Sequence, residues 1–508
     1  MSLPSWPPEL SEEQRKALLV EATNYAIAKG LLFAGADQEP PLASAHHAPF
    51  ALFPSPFPRR LFELAKDIQS AYNVLYARVA TDYEFLEQVL GDDGVSRADP
   101  FVRRLWKMYK DCRAEGIAQP VHMGIVRSDY LLHKSEGAPL SMRQVEFNAI
   151  GCAFGPHSQI VGTLHKFLFD LTGYFGLSPL LDPSNFPSNY TIPAMAAGIA
   201  DGHSTYGVPT AWVLFIVSEK ENNIFDQRWL EYALVQNHGI RVVRKTYDEL
   251  LTDASLSAER NLIVKTALSG DPVEIAVVYF RAGWSPDSFP KEEHFLARHT
   301  LERSRAIKCP TLPLQLSGSK KIQQVLAAPG TLEQFLSSPR YGAVLREATI
   351  AAVRETFAGM WGLEVLVDER GLDAVKKAGA AKEIVLKPQR EGGGNNVYAA
   401  DIPPFLETLP TEERQAWIAM ETIVGPRGLR NWLVRAGVGG TNRVVQEEIV
   451  SELGIFGTML FKEQGGKPVE LLADKEAGYL LRTKEIVNNE GGVGVGFSVL
   501  DSIVLVDG

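Results

Sequence analysis

The sequence predicts an α/β protein of more than one domain, and three observations carry that reading. Its 508 residues exceed what one hydrophobic core commonly organises. Between residues 206 and 317 a strand, a helix, a second strand and a fully apolar strand follow one another, the grammar of a small parallel sheet. Further on, a strand-like run meets a cation, a carboxylate and three glycines in Val385-Leu386-Lys387-Pro388-Gln389-Arg390-Glu391-Gly392-Gly393-Gly394-Asn395-Asn396-Val397-Tyr398. The expected units are residues 1–205, 206–317 and 318–508.

Hydrophobic residues at 45% and charged residues at 22% are ordinary for a folded soluble chain. The formal net charge of −10 disfavours a nucleic-acid or anionic-membrane partner. Cys112, Cys152 and Cys309 are far apart and form no CxxC pair, which suits a reducing, cytoplasmic setting. The start is Pro-rich and acidic, without the features of a secretory leader, and no apolar run reaches the length of a bilayer span.

In chain order, Ser11-Glu12-Glu13-Gln14 predicts a capped helix running to Lys29-Gly30. Ala45 to Pro58, with His46, His47 and several prolines, reads as extended surface chain. Leu61 to Leu90 and Leu105 to Cys112 have helical spacing. Val121 to Val126 is a short strand delivering Arg127-Ser128-Asp129 at its end. Arg127 there suits either a fork onto a substrate carboxylate or an ion pair with Asp129. In Gln144-Val145-Glu146-Phe147-Asn148, period two puts Gln144, Glu146 and Asn148 on one face, so two oxygen donors can converge on one hard cation.

Ala211 to Val217 and Ile240 to Arg244 are strands flanking a helix over Ile224 to His238, and Ile275 to Phe280 is the apolar strand. Glu221, Asn222, Asn223, Gln227 and Arg281 belong at the rim of that sheet. Ser319 opens a helix at Lys320. The GxxxxGK[ST] and GxGxxG patterns are both absent, which removes the P-loop and Rossmann readings. Val444 to Phe461 reads as an antiparallel pair turning near Gly454 or Gly457. If Tyr479 to Lys484 is extended, Arg482 and Lys484 share a face. The loop Asn488 to Gly496 is small and apolar enough to fold over a ligand and exclude water.

The Lys387 to Tyr398 stretch predicts a nucleotide phosphate clamp. Glycine admits backbone N–H groups to an anion, while Lys387 and Arg390 add positive charge. Glu391 fits beside phosphates only with a divalent cation between them, which argues for Mg²⁺. Trp417 to Ile423 follows as a strand whose apolar members can flank an adenine ring.

Taken together, Arg127-Ser-Asp-Tyr, Gln144-Val-Glu-Phe-Asn, Asn223-Ile-Phe-Asp-Gln-Arg, Ile275-Ala-Val-Val-Tyr-Phe-Arg, Lys387-Pro-Gln-Arg-Glu-Gly-Gly-Gly-Asn-Asn, Ser451-Glu-Leu-Gly-Ile-Phe-Gly and Leu480-Leu-Arg-Thr-Lys resemble, in this order, the eukaryotic-type glutathione synthetases. The resemblance implies a circularly permuted ATP-grasp fold with an inserted smaller substrate domain, and a homodimer. It implies ligation of γ-glutamylcysteine and glycine by ATP through an acyl phosphate, giving glutathione, ADP and phosphate. Position by position it makes Glu146, Asn148 and Glu391 the Mg²⁺ ligands. Lys320, Lys387, Gly392, Gly393, Asn396, Tyr398, Met420, Glu421, Thr422, Ile423, Glu452, Lys484 and Glu490 become nucleotide contacts. Arg127, Glu221, Asn222, Asn223, Gln227, Arg281 and Arg482 become dipeptide contacts, with Arg127, Lys387 and Arg482 closest to the chemistry.

The chain also departs from the family. Gly151-Cys152-Ala153 stands where many members have a Ser-x-Ser pair, so the hydroxyl contacts to the dipeptide are missing. Trp284 replaces a usual tyrosine, Thr422 a common lysine and Glu490 a common aspartate. Val493-Gly494 lies in the segment that chooses the amine, and small side chains there leave room for a longer acceptor such as β-alanine. Two further readings follow: a ligase of the same fold with a changed dipeptide or amine, and a nucleotide-binding paralogue without activity. Such paralogues lose metal ligands, whereas all three candidate ligands are present.

Overall fold

The computed structural model describes residues 6–35, 42–364, 384–390, 394–437, 442–465 and 467–507. It is a mixed α/β structure with several sheets. The first helix, Glu12–Ala28, starts at Ser11 with a full capping box, Ser11 Oγ accepting from Gln14 N and Gln14 Oε1 from Ser11 N. Two orphan amides are thereby satisfied at once. Helices Arg59–Asp67, Gln69–Thr81, Tyr83–Leu90 and Pro100–Glu115 fill the helical segments expected before residue 121.

The largest sheet is ordered Arg430–Ala436, Phe50–Ala51, Ser498–Asp501, Glu470–Glu485, Asn442–Lys462, Val121–His133, Ser141–Asn148. Its spine is Asn442–Lys462, 21 residues without a turn. The expected hairpin at Gly454 or Gly457 is therefore corrected. The strand's first part pairs with Arg430–Ala436 and its remainder with Glu470–Glu485, while its other edge carries Val121–His133. The glycines serve close approach instead. A Cβ on Gly454 would stand 2.7 Å from Arg127 Cδ and from Asp129 Oδ1, and one on Gly457 would stand 2.5 Å from Asn73 Oδ1.

Three more expectations change. Val121–His133 does not end before Arg127, so Arg127 and Asp129 lie in mid-strand on one face. Ala45–Pro58 is not surface chain: its strands Phe50–Ala51 and Ser55–Pro58 are buried, and His47 packs with Nε2 2.9 Å from Asn442 Oδ1. Gln144 does not share a face with Glu146, because Asp129 pairs with Glu146 but Tyr130 with Gln144, leaving Val145 as a bulge. Gln144 is thus buried against Gln323.

A second sheet is ordered Val242–Lys245, Trp212–Ile216, Val273–Phe280, Leu262–Val264, Ala254–Leu256, with Ile307–Cys309 also on Val273–Phe280. Its first three strands and Ile307–Cys309 are parallel, as strand and helix alternation predicts. A four-stranded antiparallel sheet, Met360–Gly362, Trp417–Glu421, Ile384–Pro388, Val397–Tyr398, carries the lysine of the glycine-rich stretch. Helix Lys320–Ala327 begins after Ser319, whose side chain makes no capping bond. No helix among the described residues is long and apolar enough to cross a membrane.

Buried Asp501, on an interior strand of the large sheet, ties that sheet to the strand Ser55–Pro58. It accepts from Ser55 Oγ and Thr483 Oγ1 at 2.6 Å and from Ser502 N at 2.7 Å. Burial pushes its carboxyl up to about 7, against the pull of these hydrogen bonds. An unfolded aspartate titrates near ~3.9, so the native chain holds an extra proton between about pH 4 and about pH 7. That contribution to stability is full below about pH 4 and is lost as pH rises through about 7. The melting temperature of Asp501→Asn relative to wild type should therefore improve from about pH 5 to about pH 8. A difference independent of pH in thermal unfolding would refute the assignment. Gly454→Ala should lower stability by ~1–3 kcal/mol through overpacking, and an unshifted urea midpoint would contradict the packing described.

Candidate active site

A cavity of about 540 Å³ opens between the large sheet and the four-stranded sheet. The large sheet supplies Arg127, Glu146, Asn148, Glu452, Arg482 and Lys484 to its wall. Facing them are Lys387, Val385, Tyr398 and Met420, with Lys320 from the start of its helix and Asn396 from the chain before Tyr398. Strand alternation explains the large-sheet set: Arg482 and Lys484 are two apart, as are Glu146 and Asn148.

The cations are held in place. Lys320 Nζ donates to Arg390 O at 2.5 Å and lies 3.5 Å from Glu146 Oε2. Lys387 Nζ donates to Val145 O at 3.3 Å, the carbonyl of the bulged residue. Lys484 Nζ donates to Asn489 O at 2.9 Å and Glu490 O at 3.0 Å, and burial lowers its pKa. Burial works to raise the Glu146 carboxyl, but Lys320, Lys387, Arg482 and Arg127 outweigh it and hold it at about 2. Glu146 is therefore ionised at any ordinary pH.

Asp129, which sequence reasoning treated only as a possible partner of Arg127, is the hub of the arginines. Arg127 donates from Nε to Oδ1 at 2.6 Å and from Nη2 to Oδ2 at 2.7 Å, and from Nη1 to Ala153 O at 3.1 Å. Three of its five N–H donors are thus taken, which leaves one hydrogen on Nη1 and one on Nη2 for a further acceptor. Arg482 Nη2 donates to Asp129 Oδ2 at 3.0 Å and to Glu452 Oε1. Asn148 Nδ2 donates to Asp129 Oδ2 at 2.9 Å. The i, i+2 spacing of Arg127 and Asp129 was the available signal once a continuous strand is assumed.

Of the expected residues, Gly151, Ala153, Trp284, Met420, Glu421, Thr422, Ile423, Glu490, Val493 and Gly494 also line the cavity. Beside Met420 and Ile423, the apolar wall adds Leu131, Val424, Val450 and Ile486, which the sequence did not single out. Glu221, Asn222, Asn223, Gln227 and Arg281 do not line it. They form a polar group behind: Gln227 Nε2 donates to Glu221 Oε2 at 2.7 Å, and Arg281 Nη1 to Asp226 Oδ2 at 3.2 Å. Asn222 Nδ2 reaches the loop at Gly494 O, 3.3 Å away. Arg390 is also corrected, since its guanidinium pairs with Asp99 rather than facing the cavity. Glu391, Gly392 and Gly393 lie outside the described residues.

The oxygen donors suit a hard divalent cation. Glu146 is held ionised, and Asn148 turns its amide nitrogen to Asp129, which leaves Oδ1 for the cavity. Among the described residues no cluster of three His, Cys, Asp or Glu side chains forms. The set is completed only by a further donor, and Glu391 is the sequence candidate.

Two departures from the family pattern prove to be one. Gly151 has φ +63, and a Cβ there would stand 3.1 Å from Trp284 Cδ1. The indole covers the position where a serine side chain would start. Gly151→Ser should cost ~1–3 kcal/mol of stability from left-handed backbone and crowding. Trp284→Ala should recover part of that, with a coupling of at least ~0.5 kcal/mol in a denaturation double-mutant cycle; strict additivity would deny the contact.

A family model described as "Eukaryotic glutathione synthase, ATP binding domain" matches residues 12–505. The chain is 38% identical to glutathione synthetase of Homo sapiens over 501 residues, covering 98% of each. It is 36% identical to the chloroplastic glutathione synthetase of Solanum lycopersicum, covering 98% of this chain and 86% of that one. A glutathione synthetase-like effector from Globodera pallida, solved in its apo form, superposes with a TM-score of 0.73 at 24% identity, over 98% of both chains, which supports the fold. With cavity, charge pattern and full-length similarity in agreement, the chain belongs to the eukaryotic glutathione synthetase family.

Proposed function

We propose that this protein is a glutathione synthetase, an ATP-dependent ligase joining γ-glutamylcysteine to glycine. The single observation behind this reading is the convergence of Glu146, Asn148, Lys320, Lys387, Arg482 and Lys484 on one cavity in a chain similar to such enzymes from end to end. ATP gives its γ-phosphoryl group to the cysteinyl carboxylate, releasing ADP. The glycine amine then attacks the acyl carbon, the amide bond forms, phosphate leaves and the amine loses its proton.

Such chemistry needs charge neutralisation and placement rather than a side-chain nucleophile. Lys320 and Lys387 hold phosphate oxygens, Lys484 the nucleotide end, and the apolar wall from Met420 to Ile423 the adenine. Gly392, Gly393, Asn396, Tyr398, Glu421, Glu452 and Glu490 complete the nucleotide site. Arg127 presents its Nη end, and Arg482 its Nε and Nη1 donors, to the carboxylate that reacts. Glu146 and Asn148, with Glu391, would hold Mg²⁺, which when bound neutralises the phosphates. Glu221, Asn222, Asn223, Gln227 and Arg281 would meet the dipeptide once the loop at Gly494 shifts, since Asn222 already touches it.

A permuted ATP-grasp arrangement with residues 206–317 as its substrate domain fits the self-contained, mostly parallel sheet there. A cytoplasmic homodimer is the accompanying assignment; Cys112, Cys152 and Cys309, none of them disulfide-bonded, suit a reducing compartment. A related ligase with another amine is the second reading, favoured by the Gly151–Trp284 wall.

ADP release by purified protein should require both γ-glutamylcysteine and an amine, with glycine preferred over β-alanine and serine. Stimulation by neither substrate would sink the ligase reading, and a preference for β-alanine would select the second one. Glu146→Gln should lower kcat by roughly 10²-fold or more while the fold persists, the scale set by transition-state charge stabilisation. Turnover within twofold of wild type would remove Glu146 from the metal set.

A further inference from the structure

We propose that Asp129 is the positioning residue of this site, fixing in one carboxylate the orientation of Arg127, Arg482 and the Asn148 amide. The observations are geometric. Its side chain is 1% exposed and accepts from Arg127 Nε and Nη2, Arg482 Nη2 and Asn148 Nδ2. Three strands of the large sheet converge on it: Arg127 and Asp129 come from Val121–His133, Asn148 from Ser141–Asn148 and Arg482 from Glu470–Glu485. Gly454, on the strand between two of them, leaves the space it occupies, since a Cβ there would stand 2.7 Å from Oδ1.

Each contact sets something the chemistry uses. By taking the Nε edge of Arg127, Asp129 aims the remaining end of that fork past Ala153 O toward the cavity. By taking one hydrogen of Arg482 Nη2 while Glu452 takes the other, it leaves Nε and Nη1 for a ligand. By accepting from Asn148 Nδ2 at 2.9 Å, it is the nearer of two acceptors, Arg127 O at 3.4 Å being the other, that turn Oδ1 of that amide toward a cation. An amide turned the other way would offer a donor to a metal, and outer-shell partners of this kind tune metal binding by about 10–100-fold.

An asparagine at 129 cannot reproduce this. Its one oxygen can replace Oδ2 only if its NH₂ faces Arg127 Nε, donor against donor; Arg127 then loses its paired carboxylate and Arg482 keeps only Glu452. A purely structural ion pair would, when removed, lower the melting temperature and leave ligand dependence alone. The positioning role predicts a change in metal dependence at retained fold. The Asn148 part rests on the proposed metal assignment.

The test is calorimetric titration of ADP into the full chain at stepped Mg²⁺ concentrations, comparing wild type with Asp129→Asn. The Mg²⁺ concentration for half-maximal enhancement of ADP binding should rise about 10–100-fold in the variant, and kcat should fall by at least about 10-fold. Unchanged Mg²⁺ dependence in a folded variant overturns the inference while the metal assignment stands. Wild-type ADP binding indifferent to Mg²⁺ overturns the metal assignment and the Asn148 part with it. Should the variant fail to fold, a crystal structure of the wild-type chain with Mg²⁺ and ADP decides. Asn148 Oδ1 on the metal with Nδ2 on Asp129 is expected; a metal-bound Asn148 released from Asp129 overturns the inference alone.

Discussion

The site depends on keeping several cations together in a partly buried space without cancelling them. Like charges in low dielectric repel, and bare ammonium groups there lose their protons. Backbone carbonyls answer part of this for the lysines: Arg390 O accepts from Lys320, Val145 O from Lys387, and Asn489 O and Glu490 O from Lys484. A carbonyl orients an ammonium group but carries no net charge, so the field that an anionic ligand meets survives. The arginines are treated differently. Carboxylates bind them directly, Arg127 along its Nε edge and Arg482 through Nη2, which trades some of their charge for direction.

The backbone makes this distribution possible. One unbroken strand, Asn442–Lys462, carries Glu452 and lies between the strand of Arg127 and that of Arg482. Ladder hydrogen bonds fix the three strands to within a residue of register, and a one-residue slip would turn every cavity-facing side chain into the core. The bulge at Val145 works with this register. It lets Glu146 and Asn148 face the cavity while Gln144 turns inward, and it delivers the carbonyl that meets Lys387.

Period and local chemistry made much of this legible in the sequence. Helix caps, the parallel strands after residue 211, and the paired positions 482 and 484 and 146 and 148 follow from alternation and turn residues. What failed was read from residues whose meaning is tertiary. Gly454 and Gly457 looked like turn formers because a glycine in sequence does not say whether it bends the chain or makes room for Arg127 and Asn73. The prolines of Ala45–Pro58 looked like surface chain, yet Ser55–Pro58 pairs with Ile503–Val506 in parallel, a partner some 450 residues away. Arg390 looked like phosphate-binding charge until Asp99, the cap of a distant helix, claimed it. The Arg127–Asp129 ion pair is one of two readings open to the sequence, but the wider role of Asp129 stays hidden because a strand ending at Val126 leaves it in a loop.

The two glycine-bearing segments that border the cavity are not independent of each other. Gly394 N donates to Glu490 Oε2 at 2.5 Å, and Tyr398 OH donates to Asn489 O at 3.3 Å. Lys484 donates to Asn489 O as well, and to the Glu490 carbonyl, so a strand residue and two clamp residues all bond to Asn489 and Glu490 of the loop. On its far side the loop is pinned where Gly492 O accepts from Phe497 N and Ser498 N, while Val495 stays largely exposed between. Moving either segment alone breaks these bonds, most of them exposed enough for water to replace, so each contributes only about 0.5–1.5 kcal/mol. Moving them together preserves the bonds between them and breaks fewer. The two borders are thus linked through Asn489, Glu490 and Lys484, and a ligand that drew Lys484 away from Asn489 O and Glu490 O would remove two of the loop's bonds.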